Sequence, residues 1–375
     1  MKIILLREKL KEILDIVTNI CPKKSDLSIL NYFFLKAEDK EIYIASTDLE
    51  ISYQTTFPGR VEKEGQVLIP AKQFEKIIDN FYEDEVILEA KGSVLEIKGE
   101  NIFSSLPGLK EEEFPTFSEI KKDKFIEFET EIFDIYIDKL WPILTTAEIK
   151  PEYNGIFLRL KEDKIILVAT DTIRLGEEIL KSQFYTVNNI KPGYEVLIPK
   201  RILQEYRRVK RKTGKLKVYF EENQISFEIM SQIFTTKLFS VEYPPYEKIK
   251  PSSFILSFEV DRRQVINALK LNKVFMDQFK ELEFKVNKKE NKLELYSKNE
   301  LLGENRNEIK INNIQGDVDE ITVKFNLDFL LDGFSVIESD NVFCGFFTGL
   351  AGESTPILLR PIPEEDFIYI LMHYG

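Results

Sequence analysis

Apolar residues along the chain follow two spacings, and the first of them predicts six helices. From Leu6 to Val17, apolar residues recur every three or four positions, with charged residues between them. This spacing is typical of an amphipathic helix. The same spacing predicts helices after Pro70, from about Glu131, after Pro199, over residues 260–275 and over residues 325–337. Proline suits a helix start, whereas Pro142 predicts that the helix from Glu131 kinks or ends there.

The second spacing is an alternation of apolar and polar residues, which predicts strands paired as hairpins. Residues 156–160 and 166–168 alternate on either side of a polar turn at 161–164. Similar pairs join residues 216–220 to 225–229 and residues 282–286 to 293–295. Helices and strands therefore follow one order three times, and the predicted fold class is α+β, with two helices packed on antiparallel sheets in each domain.

Short sequence marks recur at a nearly fixed distance. Two of them return after 129 residues, one returns after 123, and a fainter one follows 127 residues after Val196. The marks are Val67-Leu68-Ile69-Pro70 and Val196-Leu197-Ile198-Pro199, Thr47-Asp48 and Thr170-Asp171, Glu113-Phe114-Pro115 and Glu242-Tyr243-Pro244, and Val323-Lys324-Phe325-Asn326. The period is too long for a solenoid, so each copy must be a whole domain. We predict three domains, at residues 1–124, 125–252 and 253–375.

Composition limits the kinds of protein that the chain can be. Its net charge of −12 argues against nonspecific nucleic-acid binding, although an acidic total can conceal a basic face. Basic residues are concentrated between 207 and 217, where a solvated helix end and turn is an equally good interpretation. With two cysteines, Cys21 and Cys344, and no signal peptide, we expect a cytoplasmic protein without disulfides. No apolar run approaches the length of a membrane span.

Residue patterns for catalysis are missing from the sequence. The one histidine is His373, and neither a nucleotide-binding glycine loop nor a nucleophile turn occurs. Contiguous acidic residues at 111–113 and 364–366 fit solvated loops better than a metal site. Thr47-Asp48 and Thr170-Asp171 recur at equivalent places, which favours a structural turn over a catalytic carboxylate. We therefore predict a binding protein that is not an enzyme and has no cofactor or metal.

Repeated domains can join head to tail and close into a ring. The predicted helices carry basic residues on their polar faces, and helices that share one side of the domains would form a basic lining that holds phosphates without reading bases. These residues include Arg7, Lys9, Lys11, Lys23, Lys24, Lys72, Lys76, Lys200, Arg201, Arg207, Arg208, Arg211, Arg262, Arg263, Lys270 and Lys273. Ordinary amphipathic surfaces with scattered charge explain the same pattern equally well.

Several motifs, taken in order, resemble those of the bacterial sliding clamps, the beta subunits of DNA polymerase III, over the whole chain. Thr47-Asp48-Leu49-Glu50 matches T-D-L-E, and Ile69-Pro70-Ala71-Lys72 matches V-P-A-[RK]. Residues 27–30 resemble L-P-I-L, 113–115 D-F-P, 170–175 T-D-G-H-R-L, 243–246 F-P-D-Y, 359–361 I-R-P and 369–372 Y-V-[VI]-M. The resemblance implies a head-to-tail homodimer of three-domain chains, closed as a ring around double-stranded DNA.

The resemblance also implies partners and sites. The ring would tether the replicative polymerase α subunit, other clamp-binding polymerases and repair proteins, and a clamp loader would open it. Partner peptides would dock between the second and third domains, in a pocket of Tyr153, Thr170, Thr172, Ile173, Arg174, Leu175, Pro244, Lys248, Ile249, Asn326, Phe329, Pro356, Ile370, Leu371 and Met372. DNA would contact Lys24, Lys72, Lys150, Lys200 and Arg201.

The chain departs from the family pattern at four places. Thr172-Ile173 replaces Gly-His, and the sequence after Met372 differs from the family's ending, so peptide preference could differ. Glu152 replaces an expected aromatic DNA contact. The family's arginines near residues 99–103 are absent, and we expect apolar pairing through Val274 and Phe275 to form the dimer interface instead. A scaffold that does not bind DNA, or an enzyme with an unrecognised site, is the alternative.

Overall fold

The computed structural model describes residues 1–22, 27–110, 114–117, 119–144, 150–210, 212–238, 242–349, 355–363 and 366–373. In these residues one order of elements occurs three times: a strand leading into a helix, a group of strands, a second helix and three further strands. The first copy comprises β1 (Lys2–Leu6), α1 (Arg7–Ile20), β2 (Tyr32–Glu38), β3 (Glu41–Thr47), β4 (Ile51–Pro58), β5 (Arg60–Lys63), β6 (Gly65–Pro70), α2 (Ala71–Asp79), β7 (Glu85–Lys91), β8 (Val94–Lys98) and β9 (Phe103–Pro107).

The second and third copies follow the same order. The second comprises β10 (Phe125–Glu129), α3 (Thr130–Leu144), β11 (Gly155–Leu160), β12 (Lys164–Thr170), β13 (Arg174–Lys181), β14 (Tyr185–Asn188), β15 (Glu195–Pro199), α4 (Lys200–Arg208), β16 (Lys215–Phe220), β17 (Gln224–Ile229) and β18 (Gln232–Lys237). The third comprises β19 (Leu256–Asp261), α5 (Arg262–Lys273), β20 (Glu281–Asn287), β21 (Lys292–Asn299), β22 (Gly303–Gly316), β23 (Glu320–Asn326), α6 (Leu327–Val336), β24 (Asn341–Phe346), β25 (Ile357–Pro361) and β26 (Phe367–Leu371).

The described residues form two compact units. Unit 1 consists of Met1–Asp134, Gln183–Lys191 and Ile198–Ser240, and unit 2 consists of Ile135–Ser182, Pro192–Leu197 and Val241–Gly375. Unit 1 contains a five-stranded sheet in the order β5-β1-β7-β8-β9 and a nine-stranded sheet in the order β14-β10-β16-β17-β18-β4-β3-β2-β6. Unit 2 is built on a twelve-stranded sheet in the order β15-β11-β12-β13-β26-β25-β24-β19-β22-β21-β20-β23. The predicted fold class, with six helices on antiparallel sheets, is confirmed.

The three predicted hairpins are present. Leu158 pairs with Leu167, Leu216 with Ile229, and Phe284 with Leu295, each between antiparallel strands. Alternation along these strands follows the pleat, because successive side chains point to opposite faces of a sheet. A prediction from periodicity therefore succeeds wherever one face of the sheet is buried.

The helices begin where the preceding strand ends, and the residue at that junction explains why. Pro70 and Pro199 are the last residues of β6 and β15 and occupy the N-cap positions of α2 and α4. The third copy uses a side chain instead, since the Asn326 Oδ1 atom accepts a hydrogen bond of 3.2 Å from the Phe329 N–H at the start of α6. Either residue suits a helix N-terminus, where backbone N–H groups lack partners within the helix.

Two predicted helix boundaries need correction. The helix predicted from Glu131 does not end at Pro142, because α3 continues through this residue to Leu144. The helix predicted over residues 260–275 is shorter in the structure, where α5 ends at Lys273 and the N–H groups of Val274 and Phe275 bond to the carbonyls of Leu271 and Asn272. Among the described residues, no helix is both long and apolar enough to cross a membrane.

Candidate functional site

The repeated Thr-Asp pairs form identical turns between neighbouring strands. Asp171 Oδ1 accepts hydrogen bonds from the N–H groups of Ile173 (3.1 Å) and Arg174 (2.7 Å), while Thr170 Oγ1 donates to the Arg174 carbonyl at 2.7 Å. Asp48 Oδ1 accepts in the same way from Glu50 (2.9 Å) and Ile51 (2.8 Å). Backbone donors occupy these carboxylates, so both pairs are structural turns, as predicted.

Each turn also contains a residue in the left-handed backbone region. Thr172 has φ 77° and Leu49 has φ 75°. This region favours glycine because a Cβ atom is crowded there, and a β-branched residue such as threonine is strained in it. A glycine at position 172 would remove that crowding. The third copy has an equivalent turn that the sequence marks missed, in which Asn299 Oδ1 accepts from Leu301 and Leu302.

Beyond the turn, Arg174 and Leu175 project from opposite faces of β13. The Arg174 side chain is buried, and its guanidinium donates to Asp171 Oδ2 (2.9 Å), Asp332 Oδ2 (2.8 Å) and the Pro142 carbonyl (3.1 Å). The guanidinium carbon also lies 3.9 Å from the centre of the Phe329 ring. Burial raises the pKa of the Asp332 carboxyl even though this guanidinium counteracts the shift. Arg174 therefore fastens β13 to α3 and α6.

The opposite face of β13 carries an apolar cluster. Leu175 is 2% exposed and pairs across the strands with Ile370 of β26. They pack with Tyr246, and Ile249 packs against the same group. The complete buried cluster is Phe157, Val168, Leu175, Leu197, Tyr246, Phe347, Leu358 and Ile370.

A cavity of about 310 Å³ adjoins this cluster and shares Ile249 and Phe347 with it. Exposed Lys248 also lines the cavity. Leu175, Ile249 and Ile370 of the predicted peptide pocket are thus brought together, and Ile249 is the one of these three that lines the cavity. Much of the cavity lining is polar, so the apolar surface for the side chains of an extended peptide comes from the adjoining cluster.

The other predicted pocket residues lie around this cluster or on the far side of the sheet. Pro356 is buried, and its carbonyl accepts from the Phe347 N–H at 3.2 Å. The Met372 N–H donates to the carbonyl of half-exposed Ile173 at 2.9 Å, and Tyr153 and Pro244 are half-buried. Arg174, Asn326, Phe329 and Leu371 belong to the α6 side, because Leu371 pairs with Arg174 and Asn326 caps α6.

Six members of the apolar cluster were missed by sequence reasoning. None of them was in the predicted pocket: Phe157, Val168, Leu197, Tyr246, Phe347 and Leu358. A signal was available for the first of them, because Phe157 lies 123 positions after Phe34, the same offset as that between the Thr-Asp pairs. The aromatic rings of Phe157 and Tyr243 stack at a centroid distance of 4.3 Å.

The predicted DNA contacts in unit 1 lie at helix N-termini. Lys72 is the second residue of α2, and Lys200 and Arg201 are the first two residues of α4. Backbone N–H groups and the helix dipole make such positions favourable for phosphate. Lys150 is exposed in unit 2, whereas Lys24 lies outside the described residues.

Acidic residues surround Arg201, so its guanidinium is less available to DNA phosphate than its place in the sequence motif predicts. Its guanidinium donates to the Asn19 carbonyl at 3.1 Å and lies 3.4 Å from Asp48 Oδ2 and 3.0 Å from Glu205 Oε1. Glu205 is fully buried, and this burial raises the pKa of its carboxyl although Arg201 and Arg208 oppose the shift. The side chain of Arg201 remains 35% exposed, which leaves part of it available to a ligand.

The basic run after α4 is largely balanced by carboxylates. Lys212 lies 2.8 Å from Asp134, and both Lys215 and Lys217 lie within 4 Å of Glu127. Lys210 lies 3.8 Å from Asp15. These pairs favour the interpretation of this run as a solvated surface and weaken its case as a nucleic-acid site.

The C-terminal end of α5 exposes an apolar patch in unit 2. Val274 is 63% exposed, and Leu301, in the turn after β21, is 94% exposed. An Asn299 Nδ2 hydrogen bond of 3.0 Å to the Met276 carbonyl ties this turn to the end of α5. The patch consists of Leu271, Val274, Phe275, Phe279, Leu301 and Leu302. A surface of this kind usually marks a binding interface.

Two open strand edges are further candidate interfaces. Within the described residues, β22 pairs with β21 along 303–310 and with β19 only from Ile311 onward. In the first half of β22, the backbone N–H and C=O groups on the side away from β21 therefore face no neighbouring strand of the described residues. In unit 1, β9 is the last strand of its sheet and carries the exposed Phe103. Open edges of this kind can pair with another chain.

No cluster of three or more metal-ligating side chains occurs among the described residues. Both cysteines are buried, and burial raises the pKa of each thiol, for Cys21 to about 12. Three α+β copies, each with an Asp or Asn side chain that serves its own turn, define a repeat-built binding protein of the DNA-clamp class.

Comparison with known proteins identifies the family within this class. Family profiles of the DNA polymerase III beta subunit match in order: the N-terminal domain at residues 1–118, the central domain at 127–245 and the C-terminal domain at 248–374. The chain therefore belongs to the DNA polymerase III beta subunit family, the bacterial sliding clamps. The predicted boundaries at residues 124 and 252 stay predictions.

Relatives and solved structures agree with this assignment along the full chain. The beta sliding clamp of Staphylococcus aureus is 23% identical over 369 residues, which cover 96% of this chain and 94% of the relative. The Bacillus subtilis sliding clamp has the same fold, with a TM-score of 0.89 at 20% identity and coverage of 100% and 99%. A Helicobacter pylori beta clamp bound to a DNA ligase peptide has a TM-score of 0.87 to this chain at 22% identity, with full coverage of both chains. Members of this family are processivity factors, so the prediction of a non-catalytic protein is confirmed.

Proposed function

We propose that two copies of this chain close into a ring around duplex DNA, slide along it and tether replication and repair proteins by their peptides. The ordered match of all three family domains carries this proposal. A topological link needs no strong contact with DNA, and it therefore combines long residence with free movement. As a replication protein, the chain would work in the cytoplasm.

Ring closure would use the apolar patch at the end of α5 and the open edge of β22 in one copy. The edge of β9 and the exposed Phe103 side chain would supply the complementary surface in the other copy. Burial of apolar side chains stabilises such an interface by about 25 cal/mol per Å² before the costs of association. Apolar pairing would replace the arginines that sliding clamps resembling this chain have near residues 99–103.

DNA would be held through its phosphates. Lys72, Lys200 and Arg201 stand at helix N-termini, where backbone N–H groups add to the positive potential. Contacts to phosphate carry little sequence information, which is what a sliding protein requires. A clamp loader would open the ring, and ATP would be consumed by that partner.

Partner proteins would dock in the cleft of unit 2. Leu175, Ile249 and Ile370 form its apolar floor beside the cavity of about 310 Å³, and Lys248 supplies a charge at its edge. The related Helicobacter pylori clamp binds a DNA ligase peptide, which supports the same mode of recognition here. The replicative polymerase α subunit, other polymerases and repair proteins are the expected ligands.

The test of the ring is retention on circular DNA. The protein is loaded onto a nicked circular plasmid with the clamp loader of the same organism and ATP, and the plasmid is then cut once. We expect the protein to stay on the circle and to leave the linear product, and light scattering should give the mass of a dimer. Equal retention on both forms, or a monomeric mass, would contradict the proposal. Salt-insensitive or absent DNA affinity would favour the scaffold alternative.

A further inference from the structure

Unit 1 contains a second cleft that repeats the backbone of the peptide cleft of unit 2. Ser52 of β4 pairs with Thr235 of β18, as Leu175 of β13 pairs with Ile370 of β26. The Lys237 N–H donates to the Glu50 carbonyl at 3.3 Å, which matches the bond from Met372 to Ile173. Both clefts begin at a Thr-Asp turn with the same hydrogen bonds. The two clefts therefore have the same register.

The aromatic wall of the cleft is repeated as well. In unit 1 the rings of Phe34 and Phe114 stack at 6.0 Å, and Phe117 lies 5.9 Å from Phe114. In unit 2 the corresponding rings are those of Phe157, Tyr243 and Tyr246, with centroid distances of 4.3 and 6.1 Å. The cleft of unit 1 encloses a cavity of about 180 Å³, whose lining includes Leu49, Ser52, Pro115, Phe117 and Thr235.

The two clefts differ in the floor and at the rim, where Glu50 and Lys237 of unit 1 stand in place of Ile173 and Met372 of unit 2. Strand pairing sets Ser52, Ser226 and Thr235 at the positions that Leu175, Leu358 and Ile370 occupy in unit 2. The hydroxyls of Ser226 and Thr235 are hydrogen-bonded to each other at 2.8 Å. An aliphatic peptide side chain placed on this floor would cover the partly exposed side chains of Ser52 and Thr235 and gain little apolar contact from them. The same side chain on the floor of unit 2 meets only apolar groups.

We propose that Ser52, Ser226 and Thr235 close an otherwise complete second peptide cleft to aliphatic side chains, and so confine partner peptides to unit 2. This inference rests on the proposed peptide binding by unit 2. The turn, the register and the aromatic wall are common to both clefts, so selection between them falls to the side chains of the floor, with Glu50 and Lys237 at the rim acting in the same direction. An extended partner peptide with aliphatic anchors is the occupant that the altered cleft would accept.

The test is to graft the floor of unit 2 into unit 1 of the full-length chain. In the variant S52L/S226A/T235I, alanine replaces Ser226 because that side chain is buried and would lose its hydrogen-bond partner. Titration calorimetry with a clamp-binding peptide of the polymerase α subunit should give one site per chain for the wild type and two for the variant. Combined with Leu175→Asp, the graft should retain one site, whereas Leu175→Asp alone should retain none.

A second variant separates the loss of hydroxyls from the gain of apolar area. S52A/S226A/T235V changes volume little, so it should fold even if the graft does not, and it should bind at unit 1 at least tenfold more weakly than the graft. It should still bind measurably with Leu175→Asp present. A folded graft that keeps a single site, or the absence of unit 1 binding in both variants, would overturn the inference while leaving peptide binding by unit 2 intact. Absence of binding by the wild type would instead overturn the proposed function.

Discussion

Replacing Leu175 by aspartate should separate peptide binding from DNA retention and dimer formation. The side chain is 2% exposed and lies in the apolar floor with Ile370 and Tyr246. The helix N-termini that hold Lys72 and Arg201 belong to unit 1, and the patch with Val274 lies at the end of α5. The substitution therefore leaves the predicted DNA and dimer contacts untouched, but it puts a carboxylate at a buried position and lowers the stability of unit 2 as well.

The size of the effect can be worked from two contributions. Burying a leucine side chain is worth about 1.5–3 kcal/mol, but Leu175 is already buried without a ligand, so most of this loss falls on folding. An unpaired carboxylate under a peptide adds a desolvation cost of about 1–3 kcal/mol to binding. Since about 1.4 kcal/mol is a tenfold change in affinity, the peptide should bind about tenfold more weakly or worse.

The assay is fluorescence anisotropy with a labelled clamp-binding peptide, accompanied by light scattering for the dimer and by a melting curve. Ser52→Asp is the matched control, because Ser52 occupies the same register in unit 1 and should leave the peptide affinity unchanged. Leu175→Ala should give an intermediate loss. Peptide affinity within threefold of the wild type in a folded Leu175→Asp dimer would refute the assignment of the cleft.

Further predictions concern DNA, the dimer and pH. Charge reversal at Lys72 and Arg201 should weaken DNA retention, and each change should lower the slope of log K against log salt by about one; unchanged retention and loading would exclude the lining. Val274→Asp should shift the mass in light scattering toward the monomer, whereas Lys270→Asp on the same helix should not. Burial raises the pKa of Glu205, so the Glu205 carboxyl binds a proton more readily in the folded state than in the unfolded state. The protonated carboxyl therefore contributes to stability at low pH, and this contribution is lost as the pH rises through the pKa of the folded state. The stability advantage of wild type over Glu205→Gln should hence be greater at pH 4 than at pH 7 in urea titrations.

Much of the fold was predictable because its determinants are local. Helical and strand spacings identified the six α-helices of the described residues and three hairpins, since each element buries one face against a sheet or helix. The Thr-Asp turns were predictable too, because their hydrogen bonds join residues two to four positions apart. The third copy of the turn was hard to detect in the sequence, because Asn299 takes the place of aspartate and no threonine precedes it. Only the hydrogen bonds that Asn299 accepts showed that the turn is equivalent.

The candidate sites depended more on tertiary structure. Sequence alone could place Leu175 and Arg174 in one motif. In the structure, the pleat of β13 directs their side chains to opposite faces of the sheet, where Leu175 joins the apolar cluster and Arg174 contacts α3 and α6. Lys210 and Lys212 formed a basic run in the sequence, yet folding brought Asp15 and Asp134 to them from distant positions. Charge balance between remote residues cannot be read from spacing.

The sequence by itself determined the class of fold, the threefold repeat and the family, because these follow from local periodicity and from motifs in a fixed order. Tertiary structure decided which residues share a surface. Strand β4 pairs with β18, although the paired residues Ser52 and Thr235 lie 183 positions apart in the sequence. This pairing produced the second cleft and its floor of hydroxyl-bearing side chains. Contacts between distant strands depend on register, and register is settled only when the buried face of every strand in the sheet is satisfied at once.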